Sequence, residues 1–373
     1  MKNSQKSNQE AVSLRVYGDF GGSGSKFLYQ VKPPQSQWKK LSGFLMPSEI
    51  ASGSRETFEK KIPENSLIED KCWVEVMGKD FAVGYLAQLF DGVATLKQSK
   101  FIKAVLKTVA GISVIAAKEQ ILSSSIKVKL TSFLPYGEKA NKDYYISVLN
   151  ALCKEEVKTV YGKLKIELDD IIICSEGEGI YDVLPQPEKI AKKIGIMMMG
   201  YRNLSVIIGE RGAIRKGHTT ELGMVKLSEQ VGKAEGICDY GKLTQFLVKA
   251  KVNEEKAINQ LLSKEGNLKK SERKDNLKKE IARAREGFLS QAIDWFKEII
   301  EEDVDMVVLC GGTSEYLGKS LEEKLSKEFP WLEIKWHSDL SIPEGLVELS
   351  VDQYKRCADV YGEWLYQTQN SEQ

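Results

Sequence analysis

The sequence predicts an α/β protein assembled from two lobes. Three observations carry that reading. Strand–turn–strand patterns open near residues 15–30 and again near 194–216, as if one α/β unit were duplicated. Apolar runs of strand length, among them Ile126–Phe133, Ile194–Met199 and Met306–Cys310, alternate with helical periodicities such as Phe101–Ala117. A length of 373 residues suits two domains or one large two-lobed unit.

Composition removes several function classes. A net charge of +1 argues against nucleic-acid binding through overall charge. No apolar run approaches the ~18 residues of a membrane span, and the polar start MKNSQKSNQE has no signal-peptide core. The six cysteines are scattered without a C-x-x-C pair, which reads as reduced thiols of a cytoplasmic protein. Two histidines, His218 and His337, are too few for His-rich metal sites, and both read as surface residues.

In order, residues 1–10 read as a disordered tail. Leu14–Tyr17 and Lys26–Val31 read as a hairpin around Gly18–Ser25. Cys72–Val76 and Asp80–Val83 form a second hairpin about Gly78. Phe101–Ala117 is a helix, Ile126–Phe133 a strand stopped at Leu134-Pro135, and Asp143–Lys154 a helix. Val160–Glu167 and Ile171–Cys174 read as two strands. Ile194–Met199, Leu204–Ile208 and Ala213–Lys216 repeat the strand–turn grammar. The stretch 240–300 is helical and charged, with Ile281, Ala284, Phe288, Ala292, Trp295 and Ile299 on one apolar face. Its lysine-rich part, Lys264–Lys279, reads as a solvated helix face. Glu315–Glu328 and Val351–Tyr366 are the last two helices predicted.

Four segments have the chemistry of a site. In Asp19-Phe20-Gly21-Gly22-Ser23-Gly24-Ser25-Lys26 the glycines free backbone N–H groups to approach an anion, and Lys26 adds a cation. Asp19 is placed to support magnesium through water. Read alone, the segment is equally an ordinary glycine hairpin, and it is not a P-loop. Gly200-Tyr201-Arg202-Asn203 is a tight turn whose guanidinium suits phosphate, or a plain turn with Arg202 in solvent. Gly311-Gly312-Thr313 follows a buried strand and lets a flat ring or phosphate lie against backbone, or simply starts a helix. Cys174-Ser175-Glu176-Gly177-Glu178-Gly179 puts carboxylates past a strand end, where Glu176 can position water, or is a solvated acidic loop. Cys174, Cys310 and Met197-Met198-Met199 read as core.

Singly these segments are weak, but their order is specific. Together with Phe81–Ala87, Leu134-Pro135 and Ala358-Asp359-Val360-Tyr361-Gly362, the chain resembles the actin-like ATPase superfamily over about residues 14–366, and within it the ParM- and Alp-type bacterial actins. Asp19, Gly21 and Lys26 match its first phosphate motif, and Val308–Thr313 its adenosine motif. The resemblance implies a two-lobed actin-like (ribonuclease H-like, duplicated) α/β fold with a nucleotide cleft between the lobes. The first lobe is expected at 11–193 with an insertion near 36–95, and the second at 194–342 with an insertion near 228–300. A C-terminal helix within 343–373 returns to the first lobe.

The same resemblance implies ATP or GTP with Mg2+ as cofactors. Gly21, Gly22, Ser23, Gly24, Ser25 and Lys26 would hold phosphates, Gly200, Tyr201, Arg202 and Asn203 would close over them, and Gly311, Gly312 and Thr313 would lie beside the base. Glu176 and Asp19 are the catalytic candidates, Asp19 also supporting the metal. One departure stands out: laying the second phosphate motif on Ile196–Ile214 puts Met198 where an acid belongs. Hydrolysis is therefore expected to be slow. The function implied is a filament-forming cytoskeletal protein in plasmid or DNA-cargo segregation. Its partners would be copies of itself and a DNA-binding adaptor, without direct nucleic-acid or membrane contact. The alternatives are a non-polymerising actin-fold kinase or regulatory ATPase, and an adaptor that binds nucleotide without hydrolysing it.

Overall fold

The computed structural model describes residues 11–90, 92, 100–122, 125–262, 267–343, 345–346 and 354–371. The expected tail at 1–10 lies outside the described residues, as do 264–266 of the lysine-rich stretch and 351–353 of the last predicted helix. The chain divides into two compact units. The first comprises residues up to Leu134 with Glu138–Cys174 and Pro343–Val351; the second comprises Ser175–Ile342 with Pro135–Gly137 and Asp352–Gln373. The break between consecutive stretches thus falls at Cys174–Ser175, earlier than the expected 193.

The first unit holds strands β1 (Val12–Gly21), β2 (Gly24–Lys32), β3 (Ser42–Met46) and β4 (Ile50–Gly53), then helix α1 (Arg55–Glu59). It continues with β5 (Trp73–Val76), β6 (Lys79–Val83), α2 (Tyr85–Gln88), α3 (Lys100–Lys118), β7 (Ser125–Leu134), α4 (Lys142–Cys153), β8 (Val157–Thr159) and β9 (Gly162–Ser175). The strands join in one sheet, in the order β3-β2-β1-β7-β9-β8-β5-β6-β4. Four strands of the 36–95 stretch, expected as an insertion, are therefore part of this sheet.

Alternation sets the faces. Leu14, Val16 and Phe20 of β1 and Ile126, Val128 and Leu130 of β7 bury one side, while Lys127 and Lys129 stay exposed. The α3 residues Ala104, Val109, Ile112 and Ile115 join that core. Gly111 permits the close approach, because a Cβ there would lie 2.1 Å from the Phe27 ring. The two strands expected at 160–174 are one strand, β9, preceded by the short β8. At Asp169-Asp170 two consecutive residues are exposed, so the alternation that marks a strand is lost there although the backbone stays extended.

The second unit opens with α5 (Glu178–Asp182) and α6 (Gln186–Ala191), then β10 (Ile194–Met199), β11 (Leu204–Glu210) and β12 (Ala213–Thr220). Four helices follow: α7 (Met224–Glu235), α8 (Tyr240–Val252), α9 (Glu254–Leu261) and α10 (Asn267–Ile299). Then come β13 (Met306–Cys310), α11 (Gly312–Leu317), α12 (Lys319–Glu328), β14 (Glu333–Trp336) and α13 (Ala358–Ser371). The sheet order is β12-β11-β10-β13-β14, with β10, β13 and β14 parallel.

Asp239 and Asn253 cap α8 and α9 by accepting from Lys242 N at 3.0 Å and Lys256 N at 2.9 Å. Ile281, Ala284, Phe288 and Ala292 of α10 are buried as expected, with Trp295 and Ile299 packed against them. These helices share one core with Met197, Met199, Leu204, Val206 and Leu309 of the sheet. The single helix expected at 315–328 is two helices, because Gly318 adopts φ 55° and ψ −132°, which breaks the ladder. Among the described residues, no helix is long and apolar enough to cross a membrane.

Candidate functional site

In the first unit, the antiparallel register of β1 and β2 sets Asp19 opposite Lys26 and Gly21 opposite Gly24. Gly22 and Ser23 are left as a two-residue turn. Lys26 Nζ donates to Asp19 Oδ2, forming an ion pair in which both side chains are largely withdrawn from solvent. A Cβ on Gly21 would lie 3.0 Å from Gly24 O and 3.6 Å from Lys26 Nζ, so bare backbone borders the ammonium. Ser48 Oγ donates to Gly22 O at 2.6 Å and pins the turn. Ser25 pairs with Phe20, on the face opposite the Asp19–Lys26 pair, and its side chain is fully buried.

This hairpin combines one cation with glycine-framed backbone, a chemistry suited to phosphate oxygens. Asp19 supplies a single carboxylate already engaged by Lys26. Among the described residues, no group of three or more His, Cys, Asp or Glu side chains is placed to hold a metal. Such a donor set fits a magnesium ion that keeps its waters and takes its other ligands from phosphate, and does not fit a metal cage built from protein alone.

In the second unit the parallel pairing of β10 with β13, Met198 opposite Cys310, brings two predicted segments together at the strand ends. Gly200 N donates to Asn203 O at 2.8 Å and closes the 200–203 turn. Gly200 O in turn accepts from Thr313 Oγ1 at 2.8 Å, so the turn is tied to the Gly311-Gly312-Thr313 loop. Gly311 has φ +93°, and a Cβ there would lie 2.4 Å from Met199 O; no side chain fits.

Two neighbours escaped the sequence reading. A Cβ on Gly223 would lie 2.2 Å from Arg202 C, so this glycine before α7 lets the helix start against the turn. Arg356 Cγ lies 3.9 Å from where a Gly312 Cβ would be. The glycine before an amphipathic helix was a readable signal for Gly223; nothing local marks Arg356. Met198 is half-buried, and its Sδ lies 3.8 Å from Cys310 Sγ, a sulfur contact where the motif would place a carboxylate.

Glu176 is half-buried in the turn between β9 and α5. Glu178 Oε2 accepts from Ser175 N at 2.6 Å, and Gly177 takes φ +92°. The start of α5 is then capped from far along the chain: Asp359 Oδ2 accepts from Gly177 N at 2.8 Å and Asp359 Oδ1 from Ile180 N at 3.3 Å. The structure thus brings together 200–203 with 311–313; Glu176 belongs to the same unit and Asp19–Lys26 to the other.

One histidine corrects the sequence reading. His337 is buried, not on the surface, because its ring Nε2 meets Glu315 Oε1 at 2.7 Å. That contact and Lys355 hold the Glu315 carboxyl below the usual carboxylate range, against the opposing effect of burial. His337, Ser338 and Asp339 all have φ near +50°, and Ser338 Oγ holds this strained run by donating to Ile180 O at 2.8 Å.

No family model matches the chain, and no curated protein sequence matches it. Solved structures do match over nearly its whole length. The actin-like protein Alp7A aligns with TM-score 0.64 at 14% identity, covering 97% of each chain. A Bacillus thuringiensis ParM with ATP aligns with TM-score 0.54 at 12% identity, covering 95% of this chain and 99% of that one. An Alp12 filament structure aligns with TM-score 0.50 at 18% identity, covering 96% and 99%. At these identities the likeness is one of fold. With two sheets and their helices in the chain and 97% of it matched to Alp7A, the protein has the actin-like α/β fold, and its structural neighbours include ParM- and Alp-type actin-like proteins.

Proposed function

We propose that this chain is an actin-like nucleotide-binding protein that assembles into filaments, hydrolyses ATP slowly, and serves the segregation of a plasmid or other DNA cargo. The observation that supports it best is the pairing of the Gly200–Asn203 turn with Gly311-Gly312-Thr313 at the ends of two parallel strands, in a fold whose solved examples include one with ATP and one in a filament.

In this reading, the N–H groups of Gly21 through Ser25 and the Lys26 ammonium bind the phosphates. Tyr201 and Arg202 close over them, and bare backbone at Gly311 and Gly312 accepts the purine of ATP or GTP. Bound magnesium would neutralise phosphate charge, with Asp19 supporting it through water. Glu176 orients or deprotonates the attacking water. Met198 brings no carboxylate to its strand end, which supports slow turnover. A triphosphate favours the assembly-competent state only by binding it more tightly than the alternative. Identical head-to-tail contacts whose rotation does not close then give filaments.

Sedimentation and light scattering with ATP and magnesium test the proposal. Pelletable polymer above a critical concentration, absent without nucleotide, is the expected result. Tight ATP binding without polymer over the micromolar range would favour the regulatory ATPase or kinase reading, and no binding of ATP or GTP would remove both.

A further inference from the structure

Glu315 stands one turn along α11 from the bare backbone of Gly312, and its N–H closes that turn on Gly311 O at 3.2 Å. Positions three apart share a helix face, with about 5–6 Å between Cβ atoms. Two consecutive residues of the short turn Tyr354–Cys357 lie over that face. Lys355 Nζ is 3.5 Å from Glu315 Oε1, and Arg356 Cγ is 3.9 Å from where a Gly312 Cβ would be. All of these residues belong to the second unit.

The carboxyl is held by one oxygen and open at the other. His337 Nε2 meets Oε1 at 2.7 Å, and Lys355 reaches the same atom. Oε2 has no hydrogen-bond partner among the described residues, and the side chain is 32% exposed. An ionised carboxylate can only accept, so Nε2 carries the proton it shares with Glu315. His337 and Lys355 keep the carboxyl ionised in spite of its partial burial. A purine lying on Gly312 would meet this fixed acceptor with one edge, and the two purines differ there. Guanine offers N1–H and its N2 amino group side by side. Adenine offers one amino group and sets the N1 lone pair beside it, against the carboxylate charge.

We propose that Glu315 reads the base and that the site prefers guanine nucleotides: the carboxylate accepts from guanine N1–H and the N2 amino group, and adenine cannot supply both donors. This rests on the reading of Gly311-Gly312 as the purine site, and it narrows the choice between ATP and GTP left open there. ATP remains a ligand, the weaker of the two. A pair of charge-assisted hydrogen bonds to one base edge gives a discrimination of about 10- to 100-fold.

Calorimetry of the full chain with magnesium and GTP, ATP or ITP tests this, because inosine keeps N1–H and lacks the N2 amino group. Wild type should bind GTP about 10- to 100-fold more tightly than ATP, with ITP between them. Glu315→Gln has an amide that can donate to adenine N1 and accept from its amino group. It should weaken GTP about ten-fold or more, leave ATP within about three-fold, and so close the gap. Wild type that binds ATP as tightly as GTP overturns the inference and leaves the nucleotide reading standing. So does a GTP preference that survives Glu315→Gln, or an equal loss of both nucleotides in that variant. Binding of none of the three removes the nucleotide reading and this inference with it. Should Glu315→Gln fail to fold, the wild-type order GTP, ITP, ATP decides alone, and any other order overturns the assignment.

Discussion

The hairpin of the first unit and the loop pair of the second are built on opposite principles. At the hairpin a charge is held by a charge: Lys26 and Asp19 satisfy each other across the register, and a single pinned turn frames them. At the loop pair, space is held by glycine. Gly311 and Gly223 admit no Cβ, and the polar tie between the two loops is a neutral hydrogen bond from Thr313. The first can be weakened and repaired electrostatically, whereas the second fails sterically and cannot be repaired by compensating charge.

The largest effect should come from Gly311→Val. Its Cβ would strike Met199 O, and its φ is hostile to a β-branched residue, so it should cost about 3 kcal/mol or more and lower the thermal midpoint. A midpoint matching wild type would break the steric half of the comparison. Next is Glu176→Gln, expected to slow phosphate release about 100-fold while leaving ATP affinity near wild type. Fast release that survives it removes Glu176 from chemistry.

Lys26→Ala should weaken ATP binding about 10- to 150-fold by calorimetry, the loss of a charge-assisted contact worth ~1.5–3 kcal/mol. It should also destabilise the nucleotide-free protein by leaving Asp19 without its counter-charge. Lys26→Met with Asp19→Asn should recover the stability but not the affinity; recovery of neither would break the electrostatic half. The smallest expected effect is Thr313→Val. Losing the bond to Gly200 O should cost about 1 kcal/mol in denaturant unfolding and less than ten-fold in nucleotide affinity.

What was readable in the sequence was local. The β1–β2 hairpin, β7, β10, β11 and β13 announce themselves by alternation or by short apolar runs bounded by turns. Glycine marks both candidate loops because its freedom is needed where it stands. The strands between residues 42 and 53 were not legible: they are short, and their pairing is fixed by β2 and β6 rather than by their own pattern. His337 looked like a surface residue because Glu315 is 22 positions away. Asp359 with Gly177 joins α5 to a helix at the far end of the chain, and no window of sequence contains both partners.

The Asp359 cap has a consequence for the order in which the molecule can be made. Gly177 and its capping carboxylate are separated by 182 residues, and everything from β10 to β14 is synthesised between them. During translation at ~5–20 residues per second, α5 leaves the ribosome at least ten seconds or so before its cap exists. A contact of such long sequence separation closes late, after the intervening sheet and helices have formed around it. A nascent chain stalled after β14 would carry a folded second sheet beside an uncapped α5, and the backbone N–H groups of Gly177 and Ile180 would still be bound to water.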